Sequence, residues 1–159
     1  MKGNQLVIEH LQMALTAELT AVHQFTAHGE MLRDWGLDSL ADRWTSEAAE
    51  ELEHARKFAA RMLFLEGVPE LGNVSELNVG LAPKSQIEND LGIELSQVKR
   101  LNQAVVVARE QGDGGSRELF EEILVDEEKH VDWLEAQLDL IKMMGIENYL
   151  AEQMREGGN

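Results

Sequence analysis

The chain has 159 residues, 43% of them hydrophobic and 28% charged, with no cysteine and a formal net charge of −16 from 30 acidic against 14 basic residues. That length suits one domain with a sizeable core, the acidity offers no basic footprint for a nucleic-acid partner, and the lack of thiols excludes disulfides, thiolate zinc sites and cysteine-held iron–sulfur clusters. The longest apolar run, AVVVA at 104–108, is far too short to span a bilayer, and a glutamate interrupts MKGNQLVIEHLQ before a secretion signal can form, so a soluble cytoplasmic protein is expected.

Good helix formers dominate and strand signals are scarce. A first helix is expected over 5–35, where Ile8, Leu11, Leu15, Val22 and Phe25 recur at three- and four-residue steps. In WGLDSLADRW, Gly36 supplies a stop and Asp38 or Ser39 a cap for a second helix over 40–66. Pro83 is placed to open a third helix, because its missing N–H costs nothing in a first turn. That helix should end near 111, at GDGGS, and a fourth should run over 117–144. Gly145 then breaks the pattern before a tail helix at 147–156. The connections after the first and third helices are short, which makes antiparallel neighbours. Residues 67–82, GVPELGNVSELNVGLA, could instead reach roughly 50 Å when extended. The expected fold is all-α: one domain over 1–159, with a four-helix bundle at 5–144, one long crossover of the ferritin-like kind and a short fifth helix.

One offset relates the two halves of the chain. The differences 94 − 18, 127 − 51 and 130 − 54 are each 76, so AELTAV around Glu18 matches IELSQV around Glu94, and EELEHA matches DEEKHV. Each helix pair thus contributes one Glu and one Glu-x-x-His, as an internal repeat folded about a pseudo-twofold axis. All six residues fall on apolar stripes: Glu18 among Leu11, Leu15, Val22 and Phe25, and Glu94 among Ile87, Leu91, Val98 and Leu101. Glu51 and His54 fall among Trp44, Ala48, Ala55 and Phe58, and Glu127 and His130 among Phe120, Leu124, Val131 and Leu134. A single Glu-x-x-His is ordinarily a solvated helix pair. Four carboxylates in one core are penalised unless paired or metal-bound, and two divalent cations would offset them and take both imidazoles. Such a donor set suits iron or manganese, with zinc as competitor.

AELTAVHQF, RDWGL, EELEHA, RMLFLEGVPEL, ELNVG, EILVDEEKHVDWLEAQLDLI and MGIENYLAEQ together resemble the bacterioferritin family over essentially the whole chain. The resemblance implies an iron-storage ferroxidase that oxidises Fe(II) with O2 or H2O2, binds two iron ions per subunit and lays down ferric mineral inside a 24-subunit shell built from antiparallel dimers. It implies Glu18 and His54 as terminal ligands of one iron, Glu94 and His130 of the other, and Glu51 and Glu127 as bridges. The sequence departs from the family at three points. Leu52 stands where many members have the methionine that ligates haem, so haem b is not expected from this subunit alone. The chain then forms either a haem-free homo-oligomer or a mixed shell with a haem-binding bacterioferritin subunit. Phe25 replaces a common tyrosine, and Ser46 and Glu50 replace a histidine and an aspartate that hold a further iron in some members, so that extra site is not expected.

His10, His23 and His28 are read as surface or interface residues, and Gly92 as allowing either close packing or a local bulge. The rival readings are a stand-alone di-iron oxidase or peroxidase of rubrerythrin type, and a mainly structural subunit of a mixed shell. Native mass tests the first, and activity of the purified homo-oligomer tests the second.

Overall fold

In the computed structural model, which describes residues 1–154, the apolar stripes close into four long helices and one short one. These are α1 (Gln5–Asp34), α2 (Asp38–Phe64), α3 (Pro83–Glu110), α4 (Gly114–Met144) and α5 (Ile146–Gln153). Among the described residues there is no strand, and no helix is long and apolar enough to cross a membrane. The end-to-end contacts set the topology. Gly3 N donates to Leu65 O at 2.9 Å, which puts the start of α1 beside the end of α2. Asn4 reaches Gln111 past the end of α3, and Arg61 near the end of α2 holds Ser116 and Asp113 at the start of α4. Helices α2 and α3 therefore run parallel, and the crossover must return the full length of the bundle, as its length predicts.

Three local expectations need correction. Leu37 precedes α2 without a side-chain cap, and Asp38 instead lies in the first turn as its acid, where a negative charge favours the helix dipole. Helix α4 begins at Gly114, three residues earlier than expected, because the Asp113 carboxylate accepts from Ser116 N at 2.9 Å and caps it. A Cβ on Gly115 would come within 2.7 Å of the Arg61 guanidinium. Gly115 thus leaves room for the Arg61 guanidinium beside the α4 cap, while α3 ends at Glu110, as expected of GDGGS. The tail helix runs over Ile146–Gln153, and residues 155 and 156 of the expected range lie outside the described residues. Gly36 and Gly145 take φ of 78° and 80°, the left-handed conformation that glycine adopts without strain. Around Gly92 there is only open space. It makes no close packing, and α3 passes through it as uninterrupted α-helix.

The crossover is held by a ladder that the sequence did not announce. Side chains of α1 at positions 12, 20, 24 and 28, all on one helical stripe, bind successive backbone N–H groups of the passing chain. Gln12 accepts from Glu70 N at 2.8 Å, Thr20 from Ser75 N at 3.0 Å, Gln24 from Asn78 N at 2.8 Å and His28 from Gly80 N at 2.9 Å. An extended segment with no strand partner is thereby satisfied by side chains.

His28 is thus not a surface residue. It is fully buried, and its Nδ1–H donates to Asp90 Oδ2 at 2.7 Å while Nε2 accepts from Gly80. These contacts select the neutral Nδ1–H tautomer. Asp90 also accepts from Gln24 Nε2 at 2.7 Å and from Trp44 Nε1 at 2.6 Å, so one buried carboxylate joins α1, α2 and α3. Only glycine fits at position 80, where a Cβ would sit 2.5 Å from Gln86 N. His10 is partly buried and His23 exposed.

The apolar core is in two parts. One contains Val7, Leu11, Leu15, Phe58, Met62 and Phe120, the other Phe25, Leu40, Trp44, Ile87, Leu134 and Tyr149. Tyr149 anchors α5 by donating to Gln137 Oε1 at 2.8 Å, and burial raises its hydroxyl pKa to about 12.

Candidate metal centre

Between the two apolar clusters lies a polar layer. The three- and four-residue periodicity that buries leucines elsewhere buries Glu18, Glu51, His54, Glu94, Glu127 and His130 here, each no more than 5% exposed. The six sequence-predicted residues converge as two overlapping groups: Glu18, Glu51, His54 and Glu127, then Glu51, Glu94, Glu127 and His130. Glu51 and Glu127 belong to both.

Both imidazoles turn Nδ1 inward. His54 Nδ1 lies 3.0 Å from Glu127, 3.7 Å from Glu51 and 3.8 Å from Glu18. His130 Nδ1 lies 3.0 Å from Glu51, 3.5 Å from Glu127 and 3.6 Å from Glu94. Each Nε2 is directed outward to further carboxylates. His54 Nε2 faces Asp126 at 3.4 Å, and His130 Nε2 faces Glu47 at 2.7 Å and Glu50 at 3.3 Å. Glu50 and Asp126 are themselves 76 residues apart, so the repeat extends beyond the inner six. Outer carboxylates of this kind fix the tautomer and orientation of a ligating imidazole. The sequence carried a signal for them, since Glu50 and Asp126 obey the same offset. Glu47 obeys none, because its counterpart is Ile123.

Several buried, inward-facing atoms meet only one another, in ion-pair contacts and without an aligned hydrogen bond: Glu18 Oε2, Glu51 Oε1, Glu94 Oε1, both Glu127 oxygens and Nδ1 of both histidines. Buried polar groups are rarely left this way. Burial, and then the charges of Glu51 and Glu127, push Glu18 well above the ordinary carboxylate range. Burial and the Glu127 charge do the same to Glu94. For the two shared carboxylates burial is outweighed. Glu18, His130 and His54 hold Glu51 below its usual value, and Glu94, His130 and His54 hold Glu127 below. Burial also disfavours charged imidazoles, but Glu127, Glu18 and Glu51 raise His54 to about 12, and Glu127, Glu47, Glu51 and Glu94 raise His130 strongly. Burial and the neighbouring carboxylates thus favour the protonated forms of Glu18 and Glu94, while the imidazoles favour the ionised forms of Glu51 and Glu127.

The layer is not symmetric in its surroundings. Beside Glu94 and His130 is a small cavity walled by Phe25, Trp44, Asp90 and Trp133. On the other side Gln97, 2% exposed, donates from Nε2 to Glu18 Oε1 at 2.7 Å. Arg100 Nη1 donates to Gln97 Oε1 at 3.0 Å and fixes the orientation of that amide. Leu52 is 47% exposed and points away from the layer, into a groove with Val22, Thr26 and Ala49.

A family profile described as a ferritin-like domain matches residues 8–144. The chain is 39% identical over 152 residues to a bacterioferritin of Mycolicibacterium paratuberculosis, covering 96% of each chain. It is 41% identical over 149 residues to a bacterioferritin of Rhodobacter capsulatus, covering 94% of this chain and 92% of the relative. Identity is 42% over 149 residues to a bacterioferritin of Brucella melitensis, with the same coverage.

Proposed function

The chain belongs to the bacterioferritin family, and from that premise we propose that it stores iron and is a ferroxidase, taking Fe(II) as substrate at the six-residue centre. The observation that carries this reading is the set of buried oxygens and Nδ1 atoms turned toward one another without an aligned hydrogen bond. Such atoms are costly to bury unless cations engage them. Four hard carboxylates and two imidazoles are a donor set for two first-row divalent ions. Glu18 and His54 serve one, Glu94 and His130 the other, and Glu51 and Glu127, which belong to both groups, lie between.

Carboxylate oxygens favour Fe(III) over Fe(II), so the same residues that bind the substrate favour its oxidation. Two adjacent sites let one oxidant collect two electrons: 2 Fe(II), H2O2 and 2 H⁺ give 2 Fe(III) and 2 H2O, and with O2 the two electrons and two protons give H2O2. Subsequent hydrolysis of Fe(III) yields hydrous oxide, held in a shell of many copies. Adding Fe(II) to metal-free protein in air, while following ferric absorbance, should show a fast phase that saturates at about two iron ions per chain. A fast phase with no such break would sink the reading.

Binding should also displace protons. Glu18, Glu94, His54 and His130 are all raised above their usual values, which favours their protonated forms, and ligands must shed protons to bind metal. Anaerobic titration in weak buffer should release protons as metal binds, and apparent affinity should rise with pH. Affinity that does not change with pH would contradict the upward shifts of these four groups.

At the subunit twofold expected for the family, Leu52 presents no donor atom, and axial thioether ligation requires sulfur. Protein produced alone with ample haem should therefore show no stoichiometric Soret absorbance, whereas a shell mixed with a methionine-bearing partner chain should show one.

A further inference from the structure

We propose that Gln97, braced by Arg100, makes the two halves of the centre unequal, so that the Glu18/His54 subsite is the fixed, tighter one and the Glu94/His130 subsite the adaptable one. This rests on the dinuclear reading above. The repeat predicts equivalent subsites, because all six inner residues obey the 76-residue offset. Gln97 does not. Its counterpart 76 residues earlier is Ala21, which has no donor to offer Glu94.

The geometry gives the consequence. Gln97 Nε2 donates to Glu18 Oε1 at 2.7 Å, a short hydrogen bond to a carboxyl oxygen inside the buried layer. Glu18 Oε2 is left buried and without a hydrogen bond, in the group that contains His54 Nδ1. One oxygen of Glu18 is thus tethered and the other presented, which favours binding through a single oxygen in a fixed direction. The amide cannot simply turn over, because Arg100 donates to its oxygen at 3.0 Å. Glu94 has an Oε1 without a hydrogen bond, borders a small cavity walled by Phe25 and Trp133, and has no amide in the place that Gln97 takes beside Glu18. Ligands pre-set by outer hydrogen bonds bind metal more tightly than free ones. The Glu18 side therefore fills first, and changes of coordination fall to the Glu94 side. Gln97 is a positioning residue and touches no substrate.

The test is anaerobic titration of the metal-free full-length protein with Co(II), read from its visible ligand-field absorption. The parent should bind two Co(II) per chain in two steps separated by about tenfold or more in affinity. Glu18→Ala should abolish the tight step, and Glu94→Ala should retain it. Gln97→Met keeps the side-chain volume and removes the donor. It should still bind two Co(II), but with affinities within about threefold of each other and an altered spectrum at the first equivalent. Arg100→Met, which unbraces the amide, is the second variant and should narrow the separation if Gln97→Met folds poorly. Equal steps in the parent, unequal steps preserved in Gln97→Met, or loss of the tight step in Glu94→Ala would each overturn the proposal and leave the dinuclear reading standing. A parent that binds fewer than two Co(II) would overturn both.

Discussion

Glu18→Ala/Glu127→Ala protein is expected to oxidise Fe(II) slower than the parent by on the order of a hundredfold or more. Glu127 is the reason for so large an effect. It lies 3.0 Å from His54 Nδ1 and 3.5 Å from His130 Nδ1, and both of its oxygens are buried without hydrogen-bond partners. Its loss therefore weakens both subsites, while loss of Glu18 weakens one. Changing outer-sphere partners alone commonly costs 10–100-fold in metal affinity or activity, so removal of a shared ligand should exceed the lower part of that range. Stopped-flow ferric absorbance on material with unchanged circular dichroism checks the expectation. A parent-like rate would refute the assignment of this centre.

Asp90→Ala should cost stability and not turnover directly. Asp90 is 1% exposed and accepts from Gln24, His28 and Trp44. Its removal leaves three buried donors without their acceptor. Each orphaned group costs about 1–3 kcal/mol, so a loss of about 3 kcal/mol or more is expected. For a chain of this size that lowers the thermal midpoint by about 6–12 °C. Asn at the same position keeps one acceptor oxygen and should lose less. Because His28 holds Gly80, the damage should spread along the crossover, with amide exchange quickening at 78–82. Calorimetry and hydrogen exchange read the two effects separately. A midpoint within a degree of the parent would show that Asp90 does not hold these elements together.

Why was the centre legible in the sequence and the Asp90 network not? The inner six residues repeat at one spacing and interrupt apolar stripes, so each carries a local signal and a distant echo. Asp90 has neither. Its partners lie 46, 62 and 66 residues away, and a single Asp on a helix reads as solvated until packing is known. His28 was misplaced for the same reason: neutral when buried and satisfied at both nitrogens, it is core, yet in sequence it is one more polar residue of α1. Gln97 is hidden differently, because it breaks the repeat that revealed its neighbours. GDGGS does end α3, at Glu110, but Gly114 and Gly115 also fit the first turn of α4, because the Asp113 carboxylate caps it and Arg61 lies close to Gly115. The long crossover was foreseen from its length, and its ladder was not, since the four α1 residues that bind it differ in type.

The division of the core into two apolar clusters has an engineering consequence. Leucine and methionine in place of the six inner residues would join the clusters into one continuous interior. Exchanging buried ionic groups for packed apolar ones is often neutral or stabilising. A designer selecting only for heat resistance would therefore erase the layer first and obtain a tougher, inert bundle. Durability and metal binding would compete for the same six positions.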